Sequence, residues 1–266
     1  MSEPPKKLIV NADDFGFTHA VNQGIVEAHL QGILTSTTLM ANGSAFDDAV
    51  RLARQTPTLD VGCHLTLVGA PGQPETVSDL LVEIARGRVR IYEELASQVR
   101  RIIDAGIRPT HLDTHKHTHL LPEVLRAVVR IAREFGIPWV RAPFDSPRGL
   151  ALKVRLMRLT RPRFLGVLRK NGCRATDHFV GFQLTGFLGA AELVDVIRRL
   201  PNGTTELMCH PGRLTDELRA ARTRLKQSRE RELEALTAPE VREALLRAGV
   251  KLVNYRAEVS HPKHDG

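Results

Sequence analysis

Short β-rich runs alternate with helical runs along most of this chain, and that alternation constrains the fold more than any other feature of its 266 residues. A strand, a helix and another strand in succession demand a crossover connection, so neighbouring strands run parallel with helices packed outside them. The sequence predicts strands at Lys7–Ala12, Leu34–Ala41, Asp60–Leu65, Thr110–Thr114, Trp139–Ala142, Thr204–Cys209 and Lys251–Tyr255. Thr18 can cap a helix that runs to Gln31 and stops at Gly32, and Ser44 can cap another through Leu52. Further helices are expected over Tyr92–Ala105, from Pro122 to Gly136, and over Ala190–Leu200, Leu214–Leu236 and Pro239–Ala248.

About seven parallel strands suit a distorted TIM-like β/α barrel, with an open doubly wound sheet as the rival. The strand ends favour the barrel. Asp13 and Asp14, Asn42, His64, the run Asp113 to His119, Arg141 and His210 all lie at or just past a predicted strand's C-terminal end. In a β/α barrel those ends share one rim, where distant residues converge. The length and a hydrophobic content of 42% fit one domain spanning residues 1–266. Residues 146–177 break the alternation and read as a basic insertion or lid. Within it, Ala151 to Lys170 carries basic residues and no acidic one, with Leu152, Leu156 and Leu159 on one helical face and Lys153, Arg155, Arg158 and Arg161 around the others. Such a helix is either solvated and packed on the barrel or a surface for anionic headgroups or a charged substrate.

A net charge of +8 favours anionic partners, but aromatics are 5% and do not interleave with arginine, so nucleic acid is not an expected partner. Cys63, Cys173 and Cys209 form no CxxC pair, which argues for a reducing compartment and against a disulfide framework. The apolar run after the first residues is too short for a signal-peptide core, and no stretch is long enough to span a bilayer. The cytoplasm is the expected location, with peripheral contact to an anionic inner membrane face as the role open to the basic segment.

Adjacent carboxylates at the end of a buried strand, as at Asp13 and Asp14, are costly unless paired, solvated or metal-bound. The segment THLDTHKHTHLLPE places His111, Asp113, His115, His117 and His119 at period two, which on extended backbone puts all five on one face. Histidine is the commonest protein metal ligand. No more than two of these residues are expected to be ligands; the rest would orient ligands, bind substrate or line the rim. His64 ends one strand and His210, followed by Pro211 and Gly212, ends another. On the shared rim His210 becomes a candidate general acid, and Arg141 can hold Asp13 ionised. Cys63 and Cys209 precede His64 and His210 directly, so on strands they point the opposite way and are excluded as ligands.

The runs LIVNADDFG, GILTSTTLMANG, VGCHLTL, THLDTHKHTH and MCHP, in that order from residue 8 to about 212, resemble the YdjC-type carbohydrate deacetylases, a family that includes chitooligosaccharide and hopanoid-associated deacetylases. The resemblance implies a distorted barrel related to polysaccharide deacetylases and removal of acetyl groups from N-acetylated amino sugars; the basic segment suggests a lipid-linked N-acetylglucosamine compound, with soluble chitooligosaccharide as the other option. It implies one divalent metal held by Asp14, His64 and His115, with Asp13 as general base. It points to magnesium, whereas two histidines and a carboxylate also suit zinc. Asp113, His117, His119 and Asn42 are then candidates for substrate contact or ligand orientation. Lys116 departs from the family's histidine run, and the segment after VGCHLTLVGAPG is short. Rival functions are a metal-dependent phosphoesterase or amidohydrolase on a similar barrel, and a non-enzymatic sugar-binding or membrane-associated module.

Overall fold

The computed structural model describes residues 4–145 and 152–259; residues 146–151 of the expected insertion lie outside the described residues. Eight strands are described: β1 (Lys6–Phe15), β2 (Ser36–Leu39), β3 (Asp60–Leu65), β4 (His111–Thr114), β5 (Trp139–Val140), β6 (His178–Val180), β7 (Gly203–Cys209) and β8 (Lys251–Leu252). They form one sheet in the order β5-β4-β3-β2-β1-β7-β6, and β8 pairs with the start of β1 before β2 takes over at Asn11. Every pairing is parallel. The sheet curls until its edges approach: Trp139 in β5 bridges to Arg174, just before β6, through Val140 N–H to the Arg174 carbonyl at 2.9 Å and Arg174 N–H to the Pro138 carbonyl at 2.7 Å. The fold is the distorted β/α barrel that the alternation implied.

Strand periodicity sorts the side chains into two environments. Leu8, Val10 and Ala12 of β1 and Val61, Cys63 and Leu65 of β3 belong to the main apolar core shared with the helices. The alternate positions fill the barrel. Ile9, Trp139, Val253 and Tyr255 make an apolar floor. Above them the His111 ring stacks on Tyr255 with centroids 3.9 Å apart, and its Nε2 lies 2.9 Å from Asn11 Oδ1. Only glycine fits beside that ring at position 62, where a Cβ would sit 2.5 Å from the His111 carbonyl oxygen and 2.7 Å from its imidazole. Asp13, His64, Asp113 and Arg141 form the polar layer above.

Several elements differ from the sequence expectation. β6 is absent from it, because three residues carry too little pattern to register. So is the helix Val77–Ala85, although Thr76 and Asp79 form a capping box. The expected strand Leu34–Ala41 shortens to Ser36–Leu39, and Lys251–Tyr255 stops at Leu252. Ser44 is not a cap: the helix starts at Phe46, and the Ser44 hydroxyl donates to the Phe17 carbonyl. The expected long helix Leu214–Leu236 is two helices, Asp216–Ala220 and Gln227–Thr237. The break turns the second helix inward and buries its Arg229 and Glu232. Within the basic segment, helices Leu152–Leu159 and Arg161–Lys170 follow each other, and Phe164 and Leu168 anchor the second one in the core. No helix among the described residues is long and apolar enough to cross a membrane.

Candidate metal centre

The strand β1 leaves the barrel through Asp13 and Asp14 and turns at once. Asp14 takes φ 70°, a conformation L residues rarely adopt, and Gly16 follows at φ 93°. The turn is held by Gly16 N–H to Asn22 Oδ1 at 2.7 Å and Phe17 N–H to the Asp14 carbonyl at 3.0 Å. This bend aims the two adjacent carboxylates at different partners instead of opposite faces of a strand.

Asp13 is held by Arg141 through two hydrogen bonds of 2.7 and 2.8 Å, and Asn11 Nδ2 adds a third at 3.2 Å. The same guanidinium reaches Asp113 Oδ2 at 2.5 Å and Glu206 Oε1 at 2.6 Å, so one buried cation faces three buried carboxylates. Burial raises the pKa of Asp13, but Arg141 together with His64 and His210 outweighs it and holds the carboxyl well below the usual range. Glu206 goes the other way, because burial outweighs the help from Arg141.

Asp14 Oδ2 accepts from the Arg229 guanidinium at 2.5 Å. Its Oδ1 accepts no hydrogen bond and points at two imidazoles. His64 Nε2 lies 3.3 Å from that oxygen, His115 Nδ1 lies 3.4 Å from it, and the two nitrogens are 3.2 Å apart. Donors bound to one cation at about 2.0–2.2 Å are themselves about 3.0–3.5 Å apart. The triangle therefore has the dimensions of a coordination face, and Asp14, His64 and His115 are a set that could hold a metal. Asp13, His64 and Asp113 form a second such set, but Arg141 occupies both Asp13 oxygens and one of Asp113.

Asp113 Oδ1 lies 2.8 Å from His64 Nδ1, so that nitrogen donates and the Nε2 lone pair is left facing the triangle. Thr38 Oγ1 donates to Asp113 Oδ2 at 3.2 Å. Burial alone lowers the pKa of His64, but Asp113 and Asp14 reverse this and lift it well above its ordinary value. A proton on His64 and a cation at the triangle therefore compete.

His210 sits at the end of β7, its Nε2 3.9 Å from Asp13 Oδ2. Its main-chain N–H donates to Glu232 Oε2 at 2.5 Å. Burial pulls its pKa down to about 4, against the pull of Asp13 and Asp14. Burial likewise pushes Glu232 up to about 7.

The histidine run does not keep the expected period. β4 ends at Thr114, and His115–Leu120 form a 3₁₀ turn with Lys116 and His117 both at φ 52°. The backbone is no longer extended, so the five residues cannot share one face. His111 lies one layer down, against Asn11 and Tyr255. His119 is fully buried, with Nδ1 2.6 Å from Thr114 Oγ1 and Nε2 3.0 Å from the Arg141 carbonyl oxygen. His117 is buried against Phe182 and Phe179, with Nδ1 unpartnered. The Asn42 amide donates to Thr66 Oγ1 and Glu94 Oε1, each at 3.4 Å. Cys63, Cys173 and Cys209 are free and buried.

Four residues absent from the sequence reading complete the centre: Thr38, Glu206, Arg229 and Glu232. Glu206 shares the period-two face of β7 with His210. Arg229 and Glu232 fall on the same helical stripe as Leu233 and Leu236, the signature of charged residues that point inward.

The chain matches the profile of the YdjC-like protein family over residues 7–247. It is 35% identical to a carbohydrate deacetylase of Brevibacillus brevis, covering 94% of this chain and 98% of that one. It is 34% identical to a carbohydrate deacetylase of Geobacillus stearothermophilus, covering 95% and 98%. A solved structure from Enterococcus faecalis V583, described as a proposed cellobiose-phosphate cleavage protein, superposes with a TM-score of 0.77 at 29% identity over 96% of this chain and 99% of that one.

Proposed function

We propose that this chain, which belongs to the YdjC-like protein family, removes the acetyl group from N-acetylated amino sugars with one divalent cation held by Asp14, His64 and His115. The observation that carries the reading is Asp14 Oδ1: a buried oxygen with no hydrogen bond, facing two imidazole nitrogens at 3.3 and 3.4 Å. A buried polar atom left so is costly unless something binds it. The carbohydrate deacetylases of similar sequence over nearly the whole chain support the same activity.

A divalent cation at these residues supplies a water of lowered pKa and polarises the acetyl carbonyl. Arg141 keeps Asp13 ionised and fixed in direction, so its carboxylate is the acceptor for the proton of the attacking water. His210, 3.9 Å from Asp13, is the group placed to return a proton to the departing sugar nitrogen. Burial favours its neutral form, so the proton accepted at Asp13 is the nearest source for it. Asp113 fixes the tautomer of His64, and Arg229 restricts Asp14 to one free oxygen. Attack of water on the amide carbon and cleavage of the C–N bond yield acetate and a free amino sugar. His115, 27% exposed at its side chain, marks the open side of the centre.

Acetate release from a panel of soluble and lipid-linked N-acetyl sugars, with and without chelator, tests the reading. Release that stops with chelator and returns with added metal is expected. Phosphate release from simple phosphoesters, with no acetate from any sugar, would replace the deacetylase with the phosphoesterase.

A further inference from the structure

Nearly all of the chain's net positive charge lies in one segment. Residues 152–170 hold seven Lys and Arg and no Asp or Glu, against a net +8 for the whole sequence. The same segment exposes the largest regular apolar stripe among the described helices: Leu152, Leu156 and Leu159 are 66, 56 and 75% accessible and recur at helical spacing. Single exposed leucines are ordinary, but three on one stripe inside the most basic part of a chain are not.

The helix that carries the stripe connects through a chain of contacts to the residues beside the metal centre. Arg158 donates to the Asp145 carbonyl at 3.1 Å, and the Asp145 carboxylate accepts from Gln183 N–H at 2.8 Å and Phe182 N–H at 3.4 Å. Phe182 in turn packs on His117, ring centroids 5.4 Å apart, two residues beyond His115. That loop adds its own exposed apolar groups, Phe182 at 39% and Phe187 at 68%.

We propose that the helix Leu152–Leu159 docks the protein on an anionic phospholipid bilayer, with the leucines entering the headgroup boundary and the positive charge of the segment drawing it to the lipid phosphates. Charge selects the partner: a soluble apolar ligand would be met by leucines alone, whereas an anionic lipid surface answers both the stripe and the net positive charge of its segment. Docked this way, the loop of Phe182 and Phe187 lies close to the bilayer. The inference stands apart from the deacetylase reading, since its test involves neither metal nor sugar.

The test is co-sedimentation of the full chain with extruded vesicles of phosphatidylcholine and phosphatidylglycerol, against phosphatidylcholine alone, at low and physiological salt. The wild-type chain is expected to sediment with the anionic vesicles only, and less so as salt rises. Leu156→Glu combined with Leu159→Glu, both at exposed positions, is expected to weaken partitioning at least about tenfold while leaving the thermal melt in place. Arg126→Glu, an equal charge change at an exposed site elsewhere, is expected to stay within about twofold. The proposal is overturned if the wild-type chain stays in the supernatant with anionic vesicles at low salt. It is also overturned if the double variant partitions like wild type, or if Arg126→Glu loses as much as the double variant.

Discussion

Gly24→Ala sets two effects of known sign against each other. Gly24 lies inside the helix His19–Gln31, where alanine is favoured over glycine by about 1 kcal/mol. Propensity alone therefore makes the variant more stable. The structure reverses this. A Cβ at position 24 would sit 2.5 Å from Gly212 Cα, 2.9 Å from its N and 3.0 Å from its carbonyl carbon, all backbone. Ordinary carbon contacts lie near 3.5–4.0 Å, so the turn after β7 must retreat by about 1 Å. It is pinned there by Gly212 N–H to the Arg229 carbonyl and Arg213 N–H to the Ala20 carbonyl, both at 3.1 Å. Overpacking of this kind costs about 1–3 kcal/mol, which exceeds the propensity gain. The displaced turn also carries His210, and an error of about 1 Å in a reacting group can cost about a hundredfold in rate. Chemical denaturation and the acetate-release rate are the paired measurements. A variant as stable as wild type or more so, with full turnover, would refute the close approach of the first helix to the His210 turn.

Other expectations follow from single residues. Arg229→Met leaves Asp14 Oδ2 buried without its partner, a loss of about 3–5 kcal/mol in the metal-free protein. Because a bound cation offsets that charge, saturating metal should raise the melting temperature of the variant more than that of wild type; equal shifts would contradict the pairing. His119 is held at about 3 by burial, opposed by its hydrogen bond to the Arg141 carbonyl. The unfolded chain therefore takes up this proton near pH 6.5 and the folded chain does not. Stability is full above pH 6.5 and falls with pH down to about 3, by about 1.4 kcal/mol per unit from this residue. His119→Asn should flatten the slope of stability against pH in that window, and an unchanged slope would count against it. Cys63→Ser places a hydroxyl in the apolar core, so stability should drop by about 1–3 kcal/mol while turnover per folded molecule stays near wild type. A large loss of turnover would reassign Cys63 to the chemistry.

The β/α alternation and the polar strand ends made the barrel legible, because both are local properties of the chain. Asp14, His64 and His115 could be named only through family resemblance, since period-two spacing alone put His111, His117 and His119 on an equal footing with His115. The φ 52° backbone at Lys116 and His117 breaks that equality, and nothing in the residue types announces it. Arg229 was hidden for a different reason. It stands 215 residues from Asp14 in a helix so charged that it reads as solvated. Its ion pair exists only once the chain bends between Ala220 and Gln227, a bend imposed by tertiary packing with no glycine or proline to mark it. β6 was lost to brevity, and the basic segment could be read for charge but not for what its leucines face.

Calorimetric titration of the metal-free protein with a divalent cation, run on wild type, Asp14→Ala, His115→Ala and Asp13→Asn, bears most directly on the shared-cation claim. One ion per wild-type chain is expected, with binding lost in the first two variants and kept in Asp13→Asn, which nevertheless releases no acetate. Undiminished titration in Asp14→Ala and His115→Ala would mean that these side chains do not meet around a metal.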